Sequence, residues 1–144
     1  MTVDSQWALQ QAVFDRLSGD ATLKTWVGDP ARVFDHTPSA APYPYVVIGA
    51  IAGTPFDSKT SQGMTQSLSL HVWDGEDGAS PGYLGAGRLR QIMARIVALL
   101  DRAALVLPGH TLVLITFEGS QTLTDAGGLR REGTLVFRAL IQSP

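Results

Sequence analysis

Met64-Thr65-Gln66-Ser67-Leu68-Ser69-Leu70-His71-Val72-Trp73 decides the fold together with the segment that follows it as far as Leu100. Met64, Leu68, Leu70 and Val72 share one parity, while Thr65, Ser67, Ser69 and His71 share the other. That two-residue period is the signature of a half-buried strand. After the acidic turn Asp74-Gly75-Glu76-Asp77-Gly78, Ser80 and Pro81 supply a cap and a first helical residue. Leu89, Ile92, Met93, Ile96, Val97 and Leu100 then recur on one helical stripe. Such a helix is stable only when its stripe packs on another layer, so strand and helix together predict a sheet with helical cover.

Toward the N-terminus, Asp4 or Ser5 caps a first helix whose Leu9, Ala12, Val13 and Leu17 line one face, with Ser18 and Gly19 ending it. A short helix over Ala21–Val27 is stopped by Gly28, Asp29 and Pro30, and Val33-Phe34 reads as a brief strand. Three prolines between Thr37 and Pro44 predict an extended approach to a strand over Tyr45–Ala52. Gly53 to Gly63 is polar and turn-rich, and reads as a mobile loop. Toward the C-terminus, Thr111–Thr124 and Leu129–Gln142 read as two long strands joined by Asp125-Ala126-Gly127-Gly128. The expected fold is α+β in a single domain over residues 1–144. It has a four-stranded, mainly antiparallel sheet with a long C-terminal hairpin, packed by one long and one medium helix.

Several strands are apolar on both faces. Val46 and Ile48 oppose Val47 and Ile51, and Val113, Ile115 and Phe117 oppose Leu112 and Leu114. Leu135, Phe137, Ala139 and Ile141 oppose Val136 and Leu140 beside Arg138. Strands of this kind need cover on both sides. Either the first and the main helix lie on opposite faces, or another copy of the chain covers the second face or an edge.

The 144 residues carry a net charge of -2 with both signs scattered, which lacks the basic face a nucleic-acid binder needs. Cysteine is absent, which excludes a disulfide framework, thiolate metal sites and a cysteine nucleophile. No apolar run reaches membrane-span length, and Met1–Ser5 lacks the character of a leader. The Asp74 turn lacks the alternation of a calcium loop and has Gly85 where the bidentate glutamate belongs, so it reads as a solvated turn. His36, His71 and His110 lack metal-ligand spacing, and no Gly-x-Ser-x-Gly elbow anchors a hydrolase triad. Gly82, Gly85 and Gly87 do not form a dinucleotide fingerprint, because Arg90 stands where the third glycine is needed. Trp7, Trp26 and Trp73 read as core or interface fillers. No catalytic, cofactor-binding or metal residue is expected. The hairpin-tip charges Asp125, Arg130, Arg131 and Glu132 are either solvated or set register with a partner.

The helical start Trp7–Leu17, the phrase Pro42-Tyr43-Pro44-Tyr45-Val46-Val47-Ile48-Gly49 and the strand Leu68–Asp74 with its helix resemble one known family. Phe117-Glu118-Gly119-Ser120-Gln121 and Leu135-Val136-Phe137-Arg138-Ala139 share the likeness. It is the tail terminator, or tail-completion, family of long-tailed phages and gene transfer agents. The resemblance implies a virion protein, assembled in the host cytoplasm, that forms a homohexameric ring on the capsid-proximal end of the tail tube. It would stop tube polymerisation and meet a head-completion or neck protein, with DNA only passing through the lumen and no membrane involved. It also implies ring or tube contacts in the loop Thr54–Gly63, which holds Asp57 and Lys59. With the hairpin charges and Arg138, these residues form the candidate partner surface. Alternatives are a head-side neck adaptor or stopper, and a small-ligand-binding α+β domain beside Trp73.

Overall fold

A computed structural model describes residues 4–57, 62–75, 87–125 and 130–143. The elements are α1 (Ser5–Ser18), α2 (Ala21–Val27), β1 (Val33–Phe34), β2 (Tyr45–Asp57), β3 (Gln62–Gly75), α3 (Gly87–Leu100), β4 (Thr111–Thr124) and β5 (Arg130–Gln142). The strands form one sheet in the order β1-β2-β3-β5-β4, with β1 parallel to β2 and every other pair antiparallel.

This corrects the four-stranded expectation, because the two-residue β1 joins as a fifth, parallel strand when Val46 N donates to Arg32 O at 2.9 Å. It also corrects the relative length of the first helix. α1 is as long as α3, at 14 residues each, and the expected short helix over Ala21–Val27 is present as the 7-residue α2. The expected helix start at Ser80-Pro81 lies outside the described residues.

The expected loop over Gly53–Gly63 is mostly sheet. β2 and β3 stay paired through Gly53↔Gln66 and Thr54↔Thr65 to Asp57↔Gln62. Backbone hydrogen bonds need no apolar side chains, so a polar hairpin can extend where hydropathy predicts a loop. Gly63 permits the pairing, since a Cβ there would meet the Phe56 ring at 2.5 Å.

Three bulges reset the strand faces. In β2 the register passes from Ile48↔Leu70 to Ile51↔Leu68, which returns Ile51 to the face of Ile48. In β4 it shifts between Leu112 and Leu114 and again between Phe117 and Gly119, so Leu112, Ile115 and Phe117 oppose Ile141, Ala139 and Phe137. Each bulge inserts one residue and flips the parity that follows. The two-sided apolar pattern in β2 and β4 is therefore partly a bulge signature.

All three helices lie on one side. α1 and α3 touch each other as well as the sheet, and Arg16 Nε donates to Leu99 O at 3.1 Å between them. Their buried residues, Leu9, Val13 and Leu17 from α1 and Leu89, Ile92, Ile96 and Leu100 from α3, meet Val46, Leu68, Leu70, Leu135 and Phe137. The first and the main helix therefore do not lie on opposite faces. The other face, carrying Val47, Ser69, His71, Thr134, Val136 and Leu140, has no described helix over it.

Polar ties fix the helical layer. Gln66 is fully buried, and its Nε2 donates to Ser5 Oγ at 2.9 Å, anchoring the start of α1 on β3. Asp20 accepts from Leu23 N at 2.8 Å as the cap of α2 and receives Arg95 of α3 in a bidentate pair at 2.9 and 2.6 Å. The Arg95 hydrogen bond outweighs desolvation and holds the Asp20 carboxyl below its usual range. A depressed carboxyl contributes stability above the unfolded value of about 3.9 and loses it as pH falls through the folded value. Asp20→Asn keeps the cap and loses the ion pair. Its melting temperature is expected to lie furthest below wild type at neutral pH, with the gap narrowing below about pH 4 and closing in strong acid. Thermal melts across that range check this.

Candidate functional site

The open sheet face and the two sheet edges gather most of the residues that the sequence marks as partner-facing. β5 lies between β3 and β4 along its whole described length, from Gly75↔Arg130 to Gly63↔Gln142, so the hairpin is not a free arm. Its charges sit instead at one end of the sheet, on both faces.

On the open face, Tyr45 pairs with Trp73 and Trp73 with Glu132 across three strands. The Tyr43 and Tyr45 rings stack with centroids 5.7 Å apart, and the Arg130 guanidinium lies 5.1 Å from the centre of the Trp73 ring. Burial pushes the Tyr45 phenol above its usual range, Tyr43 adding to the shift and Arg130 opposing it. Arg130 also faces Asp125 at 3.6 Å, and with Trp73 and Leu123 they line a shallow pocket of about 300 Å³. Glu132 approaches His71 Nδ1 at 3.8 Å and accepts from Thr134 Oγ1 at 3.3 Å. Further along the face, Arg138 pairs with Glu118 at 3.1 Å. These charges are paired and Arg130 also lies over an aromatic ring, while Arg130, Asp125 and Arg138 stay exposed to solvent.

Arg131 turns to the helical face, next to Asp74 in register, and its Nη1 donates to Thr124 Oγ1 at 2.9 Å. Asp74 is fully buried and held by both Arg88 nitrogens, Nε and Nη2, at the start of α3. The expectation of a solvated Asp74 turn is therefore corrected at its first residue: a carboxylate next to a glycine still buries when an arginine meets it. Glu76 to Gly78 lie outside the described residues. Asp57 ends β2, and Lys59 lies outside the described residues, so the candidate surface splits between the two ends of the sheet.

Both edges are partly bare. β1 borders β2 only at Val46 and Val47, and beyond it Gln6 Nε2 reaches Ile51 O at 3.3 Å. β4 is covered at its middle, where Arg102 N donates to Ile115 O at 2.7 Å and Asp101 Oδ1 accepts from Phe117 N at 2.9 Å. From Gly119 to Thr124 no described residue pairs with its outer edge.

A groove of about 380 Å³ between α1 and β1 is lined by Trp7, Phe14, Phe34 and His36 among others. Trp7 and Phe14 are 49% and 42% exposed, large for aromatics on a helix that also builds the core. Gln10 Nε2 donates to Asp35 Oδ2 at 3.0 Å across its rim. Among the described residues no three histidine, aspartate or glutamate side chains converge as metal ligands, and no helix is long and apolar enough to cross a membrane.

Residues 11–142 match the family model described as Tail completion protein gp17. The chain belongs to the tail completion protein gp17 family. A curated member, Tail completion protein gp17 of Bacillus phage SPP1, is 30% identical over 136 residues, covering 94% of this chain and 93% of its own length. A solved chain from the virion of a native gene transfer agent particle superposes with a TM-score of 0.80 at 26% identity, over 99% of this chain and 100% of its own. The tail-completion family resemblance read from the sequence stands, and the likeness extends to a chain of an assembled particle.

Proposed function

We propose that this chain is a structural virion protein that forms a homohexameric ring at the capsid-proximal end of a phage-like tail tube. The ring ends tube polymerisation and joins the tail to the head. Its partners are further copies of itself, the tail tube protein and a head-completion or neck protein, with DNA as passing cargo. It assembles in the host cytoplasm, before or as the tail meets the head.

The observation that carries the reading is the end-to-end structural likeness to a chain of a gene transfer agent virion, joined to membership of the tail completion family. The molecule offers surfaces suited to ring assembly, namely a sheet face that no described helix covers and stretches on two opposite edges that no described residue pairs. A cyclic ring is heterologous, so it needs two different, complementary surfaces on each copy. Asp57, Lys59, Asp125, Arg130, Arg131, Glu132 and Arg138 are the charges proposed to set register with neighbours. Termination by such a ring is geometric. One surface copies the docking face of a tube subunit and the opposite surface does not, so addition stops without any covalent step.

Electron microscopy of particles lacking this gene tests the reading. Overlong or headless tails are expected. Neck defects on tails of normal length would favour a head-side adaptor or stopper, and particles of normal form would refute both.

A further inference from the structure

We propose that the edge of β4 at Ser120–Thr124 pairs antiparallel with the edge of β2 at Ala52–Pro55 on the next copy, two stretches that no described residue pairs, so that the sheets of all copies join into one closed barrel. The inference rests on the ring reading and specifies the contact that closes it.

Strand direction permits the contact. β2, β3, β5 and β4 alternate, so the two outer edges of this four-strand unit run in opposite senses. Copies related by a rotation and set side by side therefore meet β4 against β2 in antiparallel fashion, and the alternation continues around the ring.

The available backbone groups agree. Asp125 N donates to Arg130 O at 2.9 Å, which marks a hydrogen-bonded pair, so alternation turns the N–H and C=O of Ser120, Thr122 and Thr124 outward. On β2, Ile51 O points outward to Gln6, and alternation turns Gly53 and Pro55 outward as well. Pro55 has no N–H, so it can only accept across the seam, and Gly53 supplies the outward donor. Gly119-Ser120-Gln121-Thr122-Leu123-Thr124 carries neither charge nor proline. An edge so unguarded invites pairing unless a partner occupies it.

The windows also match in extent. β1 occupies the β2 edge at Val46 and Val47 and Gln6 reaches it at Ile51, and a neighbour's β4 laid along Ala52–Pro55 stops short of both. On the other side, Asp101 and Arg102 occupy the β4 edge as far as Phe117, which leaves only the stretch beyond for a neighbour.

The stagger between the two windows suits a closed barrel. Gly53 is level with Gln66 of β3, whereas Ser120 and Thr122 are level with Leu70 and Val72 through Leu135 and Gly133 of β5. Pairing Gly53 with either residue displaces each copy along the strands by four or six residues, about 13–20 Å at 3.3 Å per residue. Four strands span about 19 Å at 4.8 Å each. The strands then tilt by about 35–45° from the ring axis, the range in which closed barrels lie. A flat, unstaggered ring would waste both windows. With the helices outermost, the face bearing Ser67, Ser69, Thr134 and Arg138 lines the lumen.

The absence of native cysteine allows a direct test by disulfide trapping. Ala52 and Leu123, or Ala52 and Gln121, are exposed neighbours across the proposed seam, and within one chain they lie on opposite edges of the sheet. The double variants Ala52→Cys/Leu123→Cys and Ala52→Cys/Gln121→Cys are to be oxidised in purified particles and as isolated protein at high concentration. At least one should give a covalent ladder ending in a closed band, while single-cysteine variants give no more than dimers. Assembled particles that hold a ring yet show no ladder from either pair overturn the seam and leave the ring reading intact. Particles holding a single copy overturn both.

Discussion

Asp74→Ala is expected to lower stability by about 3 kcal/mol, near the low end of the cost of breaking a buried ion pair. In a chain of this length that is a fall in melting temperature of roughly 10 °C. The carboxylate is fully buried at the end of β3, accepts from Gly75 N at 2.8 Å and is held by two nitrogens of Arg88. Truncation strands the guanidinium, although the Arg88 side chain is 28% exposed and can turn partly to water, which moderates the loss. Replacing both partners by apolar residues, Asp74→Leu with Arg88→Met, should recover most of it, because a buried pair adds little over well-packed hydrocarbon. A melting temperature within about 2 °C of wild type for Asp74→Ala, against the several degrees that a lost buried pair costs, would show that the pair does not pin α3 to the sheet.

Phe137→Ala carries the largest expected loss in the core, about 3–5 kcal/mol. Phe137 is the largest fully buried side chain, stands between Leu68 and Phe117 in register, and meets the Phe117 ring at 5.6 Å with a tilt of 55°. It therefore joins β3, β5 and β4 beneath the helices at one point. Phe137→Leu keeps most of the volume and loses the ring contact, so a smaller loss is expected. Denaturant unfolding measures both, and a loss under about 1 kcal/mol for the alanine variant would place the centre of the core elsewhere.

Much of this architecture was legible because it follows from periodicity. The alternation from Met64 to Val72 and the stripe from Leu89 to Leu100 each bury one face, and both elements appear in the structure. The cap of α1 was legible too, since Asp4 accepts from Trp7 N at 3.1 Å. What escaped the sequence depends on events between distant residues. A bulge costs one residue and leaves no local mark, so the faces of β2 and β4 were assigned by uninterrupted parity. Gln66 sits in the apolar parity of its strand and breaks it, a signal that could have marked a buried hydrogen bond to another element. The β2–β3 extension was lost because hydropathy does not report backbone pairing.

The candidate surface was legible in composition but not in arrangement. Arg130 and Trp73 are 57 positions apart in sequence, and only the β3–β5 register brings the guanidinium over the indole. Asp74 and Arg131 likewise become neighbours only through that register. The exposed aromatics Trp7 and Phe14 fall outside the buried stripe of α1, and helical spacing alone could have placed them on its outer side.

If this chain acts by closing into a ring at the head-proximal end of the tail, averaged electron density of intact particles at that position is the most direct place to see it. Six copies in one layer between tube and neck are expected, with helices outward and the Ser67–Ser69 face toward the channel. Density for this chain elsewhere in the particle, or as an isolated copy, would contradict it.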